Sequence, residues 1–411
     1  MKRIVIIGGG FGGIFTAKHL LRKIKNDTTI EVYLLNKTNY FLFSPMLHEV
    51  ATGGLNRQHI VQPIREILNQ HNFHFVRCLV TSINTNEKTV NTDCGAFTYD
   101  ILVIATGSEV NYYNVQNAAA YTIPLKTLQD SVAIRDRVID ALELAAASKS
   151  SKDKQKYLTF VVVGGGPTGV ELAGELSEFL QQSLQENYSH LEAKDIHVYL
   201  IQRGDTILPF LRKKSREKAV ATLTKKRVTV LTNSPVTKVS KESIEINTHK
   251  MISAYTLLWT PGVKPIVIPL IPNRRTKEGF LPVDTFLHVK GLTDVYALGD
   301  AALFMNEGEI TPVPALAQTA VAQAPILARN IIHSLRNEPE ELFFFKKQGL
   351  LVSIGQKFAV GEIGQFSIQG FFAWWLWRTI YLTKLVGWSN KLKVAWDWTL
   401  NLFFPRDTTQ I

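Results

Sequence analysis

Cysteine is nearly absent from this sequence, which has only Cys78 and Cys94 among its 411 residues. A cysteine-rich metal site is therefore excluded, and a structural disulfide is not expected. Long hydrophobic runs are missing as well. The longest uncharged run near the C-terminus, 363–377, has 15 residues, whereas a helix that crosses a bilayer needs about 20. If this protein meets a membrane, we expect it to lie on the surface.

Disorder and a collagen-like fold are excluded by a composition of 45% hydrophobic and 20% charged residues. The length suffices for two or three domains with hydrophobic cores. The net charge of +11 favours nucleotides, nucleic acid or an anionic membrane as partners, without choosing among them. A strand pattern that begins at Arg3 leaves no room for a signal or transit peptide, so we expect the protein to stay on the cytosolic side.

A glycine motif follows the first predicted strand. The apolar run 4–7 leads directly into 8–13, which fits G-x-G-x-x-G, and a helix pattern covers 14–23. The first glycine of such a motif allows a tight turn, the second lets the backbone approach a pyrophosphate, and the third packs the helix on the strand. With a further strand over 30–35, the pattern predicts a dinucleotide site.

The same arrangement occurs a second time, about 156 residues later. A strand over 160–163 leads into the glycine run 164–169, and a helix over 170–180 and a strand over 197–201 follow. Because two complete strand–glycine–helix–strand patterns are improbable by chance, we predict two dinucleotide sites.

Two other predicted strands end in turns that suit a flavin. A strand over 100–104 leads into 105–107, and a strand over 294–298 leads into Gly299 and Asp300. An aspartate at such a position can accept hydrogen bonds from ribitol hydroxyls. Either turn alone is an ordinary strand exit, but together with the glycine motifs they are specific.

The sequence resembles type II NADH:quinone oxidoreductases, a family of flavoproteins with two dinucleotide-binding domains. The resemblance covers essentially the whole chain and rests on the blocks 8–13, 40–53, 164–175, 297–300 and 317–323, the last similar to the family's A-Q-x-x-x-x-Q signature. It implies an α/β fold with two Rossmann-like domains, the NAD(P)H domain inserted in the FAD domain, and a C-terminal amphipathic helical membrane-binding region. The implied limits are 1–112 and 269–335 for the FAD domain, 113–268 for the NAD(P)H domain and 336–411 for the C-terminal region.

The resemblance also implies the site residues. Glu171 would lie beside the nicotinamide and flavin, Gln318 would contact the flavin and Gln323 would hydrogen-bond the quinone. Two alternatives stay open: Glu171 only caps and solvates its helix, or Gln323 only satisfies the backbone. The residues implied for cofactor binding are Gly8, Gly9, Gly10, Phe11, Gly12, Gly13, Asn36, Lys37, Val80, Ala105, Thr106, Gly107, Gly299, Asp300, Ala317 and Gln318 for FAD, and Gly164, Gly166, Pro167, Thr168, Gly169, Gln202, Arg203 and Gly262 for the nicotinamide nucleotide.

Two positions depart from the family pattern, since the acid expected after the second strand of each motif is replaced by Asn36 and Gln202. Asn36 can still hydrogen-bond a ribose hydroxyl. Gln202 removes the repulsion that a carboxylate exerts on a 2′-phosphate, and Arg203 can pair with that phosphate. We therefore expect NADPH to be accepted beside NADH, unless Arg203 points to solvent and NADH stays preferred.

The acceptor side is predicted at the C-terminus, where six of the seven tryptophans lie between 374 and 398. One helix is predicted from 371 to a break at Gly387, and a second from 390 to 404. The apolar residues are flanked by four cations, Lys384, Lys391, Lys393 and Arg406. Such a pattern is typical of helices that lie at a membrane interface, although packing on the protein or a dimer interface is the alternative.

Two polar stretches carry no further motif. The basic residues in 212–218 and 225–227 are interpreted as a solvated helix face, and 148–156 as a polar loop. Nucleic-acid binding is not expected.

The function predicted is a peripheral flavoenzyme on the cytoplasmic face of the cell membrane. It would pass hydride from NAD(P)H to FAD and two electrons to a lipid-soluble quinone, without a metal and without proton pumping, as a homodimer. Disulfide reductases and sulfide:quinone reductases need cysteines near the flavin, and this chain has none in its glycine motifs. The alternatives are an NAD(P)H oxidase or soluble-acceptor reductase of the same fold, and a flavin-bearing interaction protein.

Overall fold

The fold was analysed in a computed structural model that describes residues 1–25, 27–247, 250–346 and 349–409. The chain divides into two compact units. Unit 1 comprises Met1–Leu42, Val61–Glu109 and Val263–Lys346, and unit 2 comprises Phe43–Ile60, Val110–Gly262 and Lys347–Ile411. The domain limits and the cofactor of each domain, as implied by the resemblance, stay predictions.

Unit 1 is built on a five-stranded parallel sheet. Its strands are rich in apolar, β-branched side chains, and the residues Ile4–Ile7 are all buried, as expected for a parallel sheet. The carboxyl ends of parallel strands meet at one edge, so the turns after Ile7, Ile104 and Ala297 are neighbours there. The strands lie in the order Val295–Ala297, Ile101–Ile104, Lys2–Ile7, Ile30–Asn36 and Phe73–Arg77.

The two long helices of unit 1, Phe11–Lys23 and Ala317–Arg336, pack against each other. A second sheet contains Leu270–Ile271, Val80–Asn84, Thr89–Thr92 and Gly95–Thr98 in that order. The smaller elements are the strand pairs Tyr40–Leu42 with Val61–Pro63 and Leu281–Pro282 with Ala302–Leu303, the helices Ile64–Ile67 and Gly299–Ala301, and the strand Val263–Pro265.

Unit 2 repeats the parallel sheet. Its strands lie in the order Ile123–Pro124, Thr256–Trp259, Thr159–Val163, His197–Ile201 and Val228–Leu231. An antiparallel sheet of Val236–Ser240, Ser243–Ile246 and Lys250–Ser253 shares a hydrophobic core with it. The helices before the C-terminal segment are Ser44–Met46, Leu47–Ala51, Arg57–Ile60, Ala118–Tyr121, Leu128–Ala147, Ser151–Tyr157, Pro167–Glu186 and Lys213–Lys225.

The C-terminal segment belongs to unit 2. It forms an antiparallel sheet of Leu350–Ser353, Ala359–Ile363 and Phe366–Gly370, followed by two helices, Phe371–Lys384 and Trp388–Leu400. The strand Leu350–Ser353 packs against the Pro167–Glu186 helix. Gly174 permits this approach, since a Cβ there would lie 3.0 Å from the backbone of Ile354.

Two predictions of local structure are wrong. The stretch 148–156 is not all loop, because Ser150 accepts a hydrogen bond from the backbone N–H of Asp153 and starts the Ser151–Tyr157 helix. The last helix does not reach 404; it ends at Leu400, and 401–404 form turns. The helix break predicted at Gly387 is confirmed, since this residue has φ of 85°.

Within the described residues, no helix combines the length and the hydropathy needed to cross a membrane.

Candidate active site

The first glycine loop has the geometry of an anion-binding turn. Gly8 has φ of 111°, and a Cβ on Gly13 would lie 1.8 Å from the Gly8 carbonyl oxygen, so neither position tolerates a side chain. Gly10, by contrast, faces open space. It precedes the Phe11–Lys23 helix and has no side chain that could bond the first N–H groups of the helix. Those N–H groups and the helix dipole therefore remain available for a phosphate.

Asn36 holds this loop in place. The backbone N–H of Gly9 donates a 2.9 Å hydrogen bond to Asn36 Oδ1, and Asn36 Nδ2 donates to the carbonyl oxygen of Thr38 at 2.8 Å. The side-chain amide is thus engaged with the backbone on both sides. Its predicted contact with a ribose hydroxyl stays a prediction.

The other side of the first site is formed by the residues that follow the strands Ile101–Ile104 and Val295–Ala297. Ser108 Oγ donates to Asp300 Oδ2 at 2.5 Å, which fixes the carboxylate expected to meet ribitol hydroxyls. Thr106 Oγ1 is buried with no hydrogen-bond partner among the described residues, as expected for a group that a ligand completes. A Cβ on Gly107 would meet nothing within 4 Å. Open glycines, an unpartnered hydroxyl and a fixed carboxylate fit a flavin dinucleotide.

Gln323 is buried, and its Oε1 accepts a 2.8 Å hydrogen bond from the backbone N–H of Gly299. This contact agrees with the alternative role of Gln323, in which its side chain hydrogen-bonds a buried backbone group. It also secures the turn that carries Asp300. The predicted role of Gln323 at a quinone stays a prediction, as does that of half-buried Gln318, next to the start of the Ala317–Arg336 helix.

The second glycine loop reproduces the first. Gly164 has φ of 108°, and a Cβ on Gly169 would lie 1.9 Å from the Gly164 carbonyl oxygen. Gly166 faces open space before Pro167 begins the helix, as Gly10 does in the first loop. Gln202 Oε1 accepts a 3.0 Å hydrogen bond from the backbone N–H of Gly165, so it braces this loop as Asn36 braces the other.

The remaining residues predicted at the two sites are placed as follows. Lys37, Arg203 and Thr168 are exposed, and Phe11 and Val80 are half-buried. Gly262 has φ of 65°, and a Cβ there would collide with the Tyr113 hydroxyl.

Glu171 belongs to a group of ionisable residues, all buried except half-buried Arg378, that we call the acid–base cluster. Its members come from three segments of unit 2 that are distant in sequence. They are His48, Glu49, Glu171, Glu175, Arg378 and Arg406.

Direct contacts hold the cluster together. Arg406 Nη2 donates to Glu175 Oε2 at 2.5 Å, and Trp398 Nε1 donates to Glu49 Oε2 at 2.6 Å. Glu171 Oε1 accepts a 3.1 Å hydrogen bond from the backbone N–H of Ser353, and its Oε2 lies 3.8 Å from His48 Nδ1. Glu171 therefore neither caps its helix nor faces solvent.

Burial shifts the pKa values of the carboxyl groups and of the histidine in this cluster in opposite directions. It raises the pKa of Glu49 to about 7, and it raises the pKa of Glu171 well above its usual range, with the Glu49 charge adding to the effect. It lowers the pKa of His48 to about 4, against the opposing charge of Glu175. Burial also opposes ionisation of Glu175, but Arg406 outweighs it and lowers the pKa of that carboxyl. At neutral pH Glu175 and Arg406 are an ion pair and His48 is neutral, and burial favours the protonated form of Glu171 by raising its pKa.

Sequence reasoning found only Glu171 in this cluster. It placed Arg406 among cations that face lipid, which is wrong, because Arg406 is 6% exposed and paired with Glu175. The signal that was missed is the spacing of Glu171 and Glu175, one helical turn apart after the glycine loop.

The six C-terminal tryptophans divide into two sets. Trp374, Trp377 and Trp398 are buried, and the Arg378 guanidinium lies 4.0 Å and 4.6 Å from the ring centroids of Trp374 and Trp398. For these three tryptophans the alternative of packing on the protein holds, and a membrane-facing position is wrong. Trp375, Trp388 and Trp396 are exposed.

Comparisons with known proteins agree with this geometry. The model of the pyridine nucleotide-disulphide oxidoreductase family matches residues 2–324, and that of the NDH2 C-terminal domain matches 348–407. A type II NADH:quinone oxidoreductase of Mycobacterium tuberculosis is 30% identical over 422 residues, which cover 98% of this chain and 89% of the relative. The chain belongs to the type II NADH:quinone oxidoreductase family.

Two other similarities extend over the same length. A probable NADH dehydrogenase of Dictyostelium discoideum is 30% identical over 419 residues, covering 99% of this chain and 90% of that protein. The structure of NDH2 from Plasmodium falciparum in complex with NADH matches with a TM-score of 0.90 at 23% identity, covering 99% of both chains. The fold of this type II oxidoreductase is thus shared along its whole length.

Proposed function

We propose that this chain oxidises NAD(P)H and reduces a lipid-soluble quinone, with FAD as its resident cofactor. The observation that carries the proposal is that the second glycine loop and buried Glu171 share one helix, Pro167–Glu186. A nucleotide whose pyrophosphate binds the start of that helix lies next to a carboxyl group whose pKa is raised well above its usual range.

FAD is assigned to the first loop. Residues 8–13 would hold its pyrophosphate, Asp300 its ribitol and Thr106 a polar atom, and the family resemblance adds Val80, Ala317 and Gln318. Bound there, FAD supplies the two-electron chemistry, accepting hydride from a nicotinamide and passing electrons to a quinone.

The protein's own part is to bind, to orient and to supply protons. Reduction of a quinone to a quinol consumes two protons, and Glu171 and Glu49 are the carboxyl groups of the cluster whose pKa is raised, which favours their protonated forms. The ionised Glu175 is neutralised by Arg406 and does not compete for these protons. We assign Glu171 as the proton-holding residue next to the reacting rings, and Glu49 as its nearest reserve.

Peripheral attachment to the cytoplasmic face of a membrane is the second part of the proposal. The exposed faces of the C-terminal helices carry large apolar side chains at helical spacing, and Lys384, Lys391 and Lys393 provide cations for anionic lipid. A second copy of the chain is the alternative occupant of this surface. The apolar side chains on the helices are Phe371, Phe372, Trp375, Trp388, Leu392 and Trp396, and exposed Phe403 and Phe404 follow in the turns after Leu400.

The proposal is tested by reducing the FAD-loaded protein with NADH without oxygen, then adding a short-chain quinone or oxygen and following flavin absorbance. We expect quinone to restore the oxidised spectrum much faster than oxygen. Fast reoxidation by oxygen with quinone inert would instead support an oxidase. Absence of reduction by either NADH or NADPH would overturn both readings.

A further inference from the structure

The two cysteines of the chain lie together in unit 1, although they are 16 positions apart. Cys78 follows the strand Phe73–Arg77 and is buried, whereas Cys94 is exposed in the turn between Thr89–Thr92 and Gly95–Thr98. The two sulfurs and a carboxylate oxygen of Asp93 all lie within 4.8 Å of one another.

Hydrogen bonds hold the turn in this position. The backbone N–H of Asp93 donates to the Leu79 carbonyl oxygen at 3.0 Å, and the Leu79 N–H donates to Asp93 Oδ1 at 2.8 Å. Thr92 Oγ1 accepts a 3.1 Å hydrogen bond from the Cys94 N–H and donates to the Gly95 carbonyl oxygen at 2.7 Å. Residues 79 and 93 are thus paired, which places 78 and 94 opposite each other.

Opposed positions on neighbouring chain segments suit a disulfide better than a metal ion. Directly opposite residues have Cα atoms about 4.5–5.5 Å apart, within the range that a disulfide requires. A structural zinc site needs four protein ligands, and the described residues offer three here. One of the three is Asp93, whose Oδ1 already accepts from Leu79.

We propose that Cys78 and Cys94 form a reversible disulfide, with Cys94 as the thiol that reacts first. The oxidant is a low-molecular-weight disulfide. The Cys94 thiolate displaces one thiol from it and forms a mixed disulfide; Cys78 then loses its proton, attacks Cys94 Sγ and displaces the second thiol. Two protein thiols and one small disulfide become one protein disulfide and two small thiols.

The exposure of the two residues sets the order of these steps. Oxidant reaches Cys94 from solvent, whereas Cys78 can act only within the protein. Burial raises the pKa of Cys78 to about 12, so its thiolate is scarce at neutral pH and closure is the slow step. The rate of closure should rise about tenfold per pH unit between pH 7 and 9, since the thiolate fraction does so.

The experiment is a thiol count on the full-length, FAD-loaded protein after incubation with oxidised glutathione. The exchange is stopped with acid, the protein is then unfolded in denaturant and alkylated at neutral pH, and its intact mass is measured. We expect untreated protein to take two alkyl groups, and oxidised protein to take none and to carry no glutathione. Dithiothreitol should restore both thiols. The chain has two cysteines, so an intramolecular disulfide can only be this one.

Single variants identify the two roles. In Cys78→Ser the reaction should stop at glutathione on Cys94, whereas in Cys94→Ser the remaining thiol should take one alkyl group and no glutathione. Cys94 is exposed, so its substitution keeps the fold even if Cys78→Ser does not. Persistence of one glutathione and one alkyl group on the wild type would overturn the proposal. So would protection of both thiols by stoichiometric zinc, which would make this a metal site. None of these outcomes depends on quinone reduction.

Discussion

The guanidinium of Arg406 and the carboxylate of Glu175 form an ion pair at 2.5 Å, with side chains that are 4% and 5% exposed. The two residues are 231 positions apart in the chain. The pair joins the C-terminal segment to the helix that begins at the second glycine loop, and it neutralises a charge inside unit 2.

Removal of one partner should therefore be costly. We expect Arg406→Met to lower the free energy of unfolding by about 3–5 kcal/mol, because it leaves Glu175 charged and buried. Adding Glu175→Gln should recover most of the loss. Denaturant unfolding measures both effects. Arg135→Met is the matched control: Arg135 pairs with the exposed carboxylate of Asp407, and such a pair contributes about 0–1 kcal/mol. Equal losses in the two single variants would contradict the assignment.

Glu49 and His48 should impose opposite pH dependence on stability. Folding raises the pKa of Glu49 from 4.5 to about 7, so its contribution is full below pH 4.5 and is lost as pH rises to 7. Folding lowers the pKa of His48 from 6.5 to about 4, so its contribution is full above pH 6.5 and is lost as pH falls to 4. The two slopes, each at most about 1.4 kcal/mol per pH unit, oppose each other between pH 4.5 and 6.5.

Single variants should expose these slopes. Relative to the wild type, Glu49→Gln should gain stability as pH rises from 4.5 to 7, and His48→Gln should lose stability as pH rises from 4 to 6.5. Chemical denaturation at a series of pH values measures the differences. Glu217→Gln, on an exposed helix face, is the control and should change neither slope. Parallel curves for all variants would show that the cluster does not titrate in this way.

Glu171→Gln should reduce kcat by a factor of roughly 10² or more, because a group that transfers protons is lost while its shape is kept. KM for NADH should change by less than about threefold, since the substitution removes no nucleotide contact. Steady-state kinetics with a soluble quinone measures both constants. Glu186→Gln, at the exposed end of the same helix, should behave as the wild type. An unchanged kcat in Glu171→Gln would refute its role.

NADPH should be used beside NADH, and Arg203 and Gln202 should control the ratio. Gln202→Glu keeps the oxygen that accepts from Gly165 and adds a charge that repels a 2′-phosphate, so kcat/KM for NADPH should fall about tenfold or more with little change for NADH. Arg203→Ala should act in the same direction. A wild-type enzyme with a large NADH preference, unaffected by either substitution, would refute this prediction.

Among the C-terminal tryptophans, only the exposed ones should contribute to binding to anionic vesicles. Trp388→Ser and Trp396→Ser should each weaken binding by roughly 70-fold, since each ring removes roughly 100 Å² of apolar surface from water, about 2.5 kcal/mol at ~25 cal/mol per Å². Trp398→Phe should leave vesicle binding intact and lower stability, because the indole N–H that bonds Glu49 is lost. Co-sedimentation with vesicles measures the first effect and thermal unfolding the second. Unchanged vesicle binding with a loss of dimer would assign the surface to a second copy.

The parts of the fold that sequence reasoning predicted depend on contacts close in the chain. The Gly8–Gly13 and Gly164–Gly169 contacts span five residues. The positive φ of Gly8 and Gly164 favours glycine, and the close approach of Gly13 and Gly169 to the carbonyl oxygens of Gly8 and Gly164 leaves no room for a Cβ. The Ser150 cap was local as well and could have been recognised from its spacing to Asp153. The acid–base cluster could not have been recognised from the sequence, because its members come from three segments that are more than 100 residues apart. Arg406 directly follows the apolar run 402–405, which the sequence pattern assigns to a membrane-facing surface. Only the folded chain shows that Arg406 pairs with Glu175.

The same separation imposes an order on biosynthesis. At roughly 5–20 residues per second, Arg406 is made about 10 to 50 s after Glu175. Through that interval the nascent unit 2 contains the Glu175 carboxylate without the arginine that pairs with it. The charge of Glu175 can be paired only after the last segment of unit 2 is synthesised. A ribosome stalled between residues 262 and 406 would therefore hold a chain that has all the parallel strands of unit 2 but lacks the arginine that pairs with Glu175.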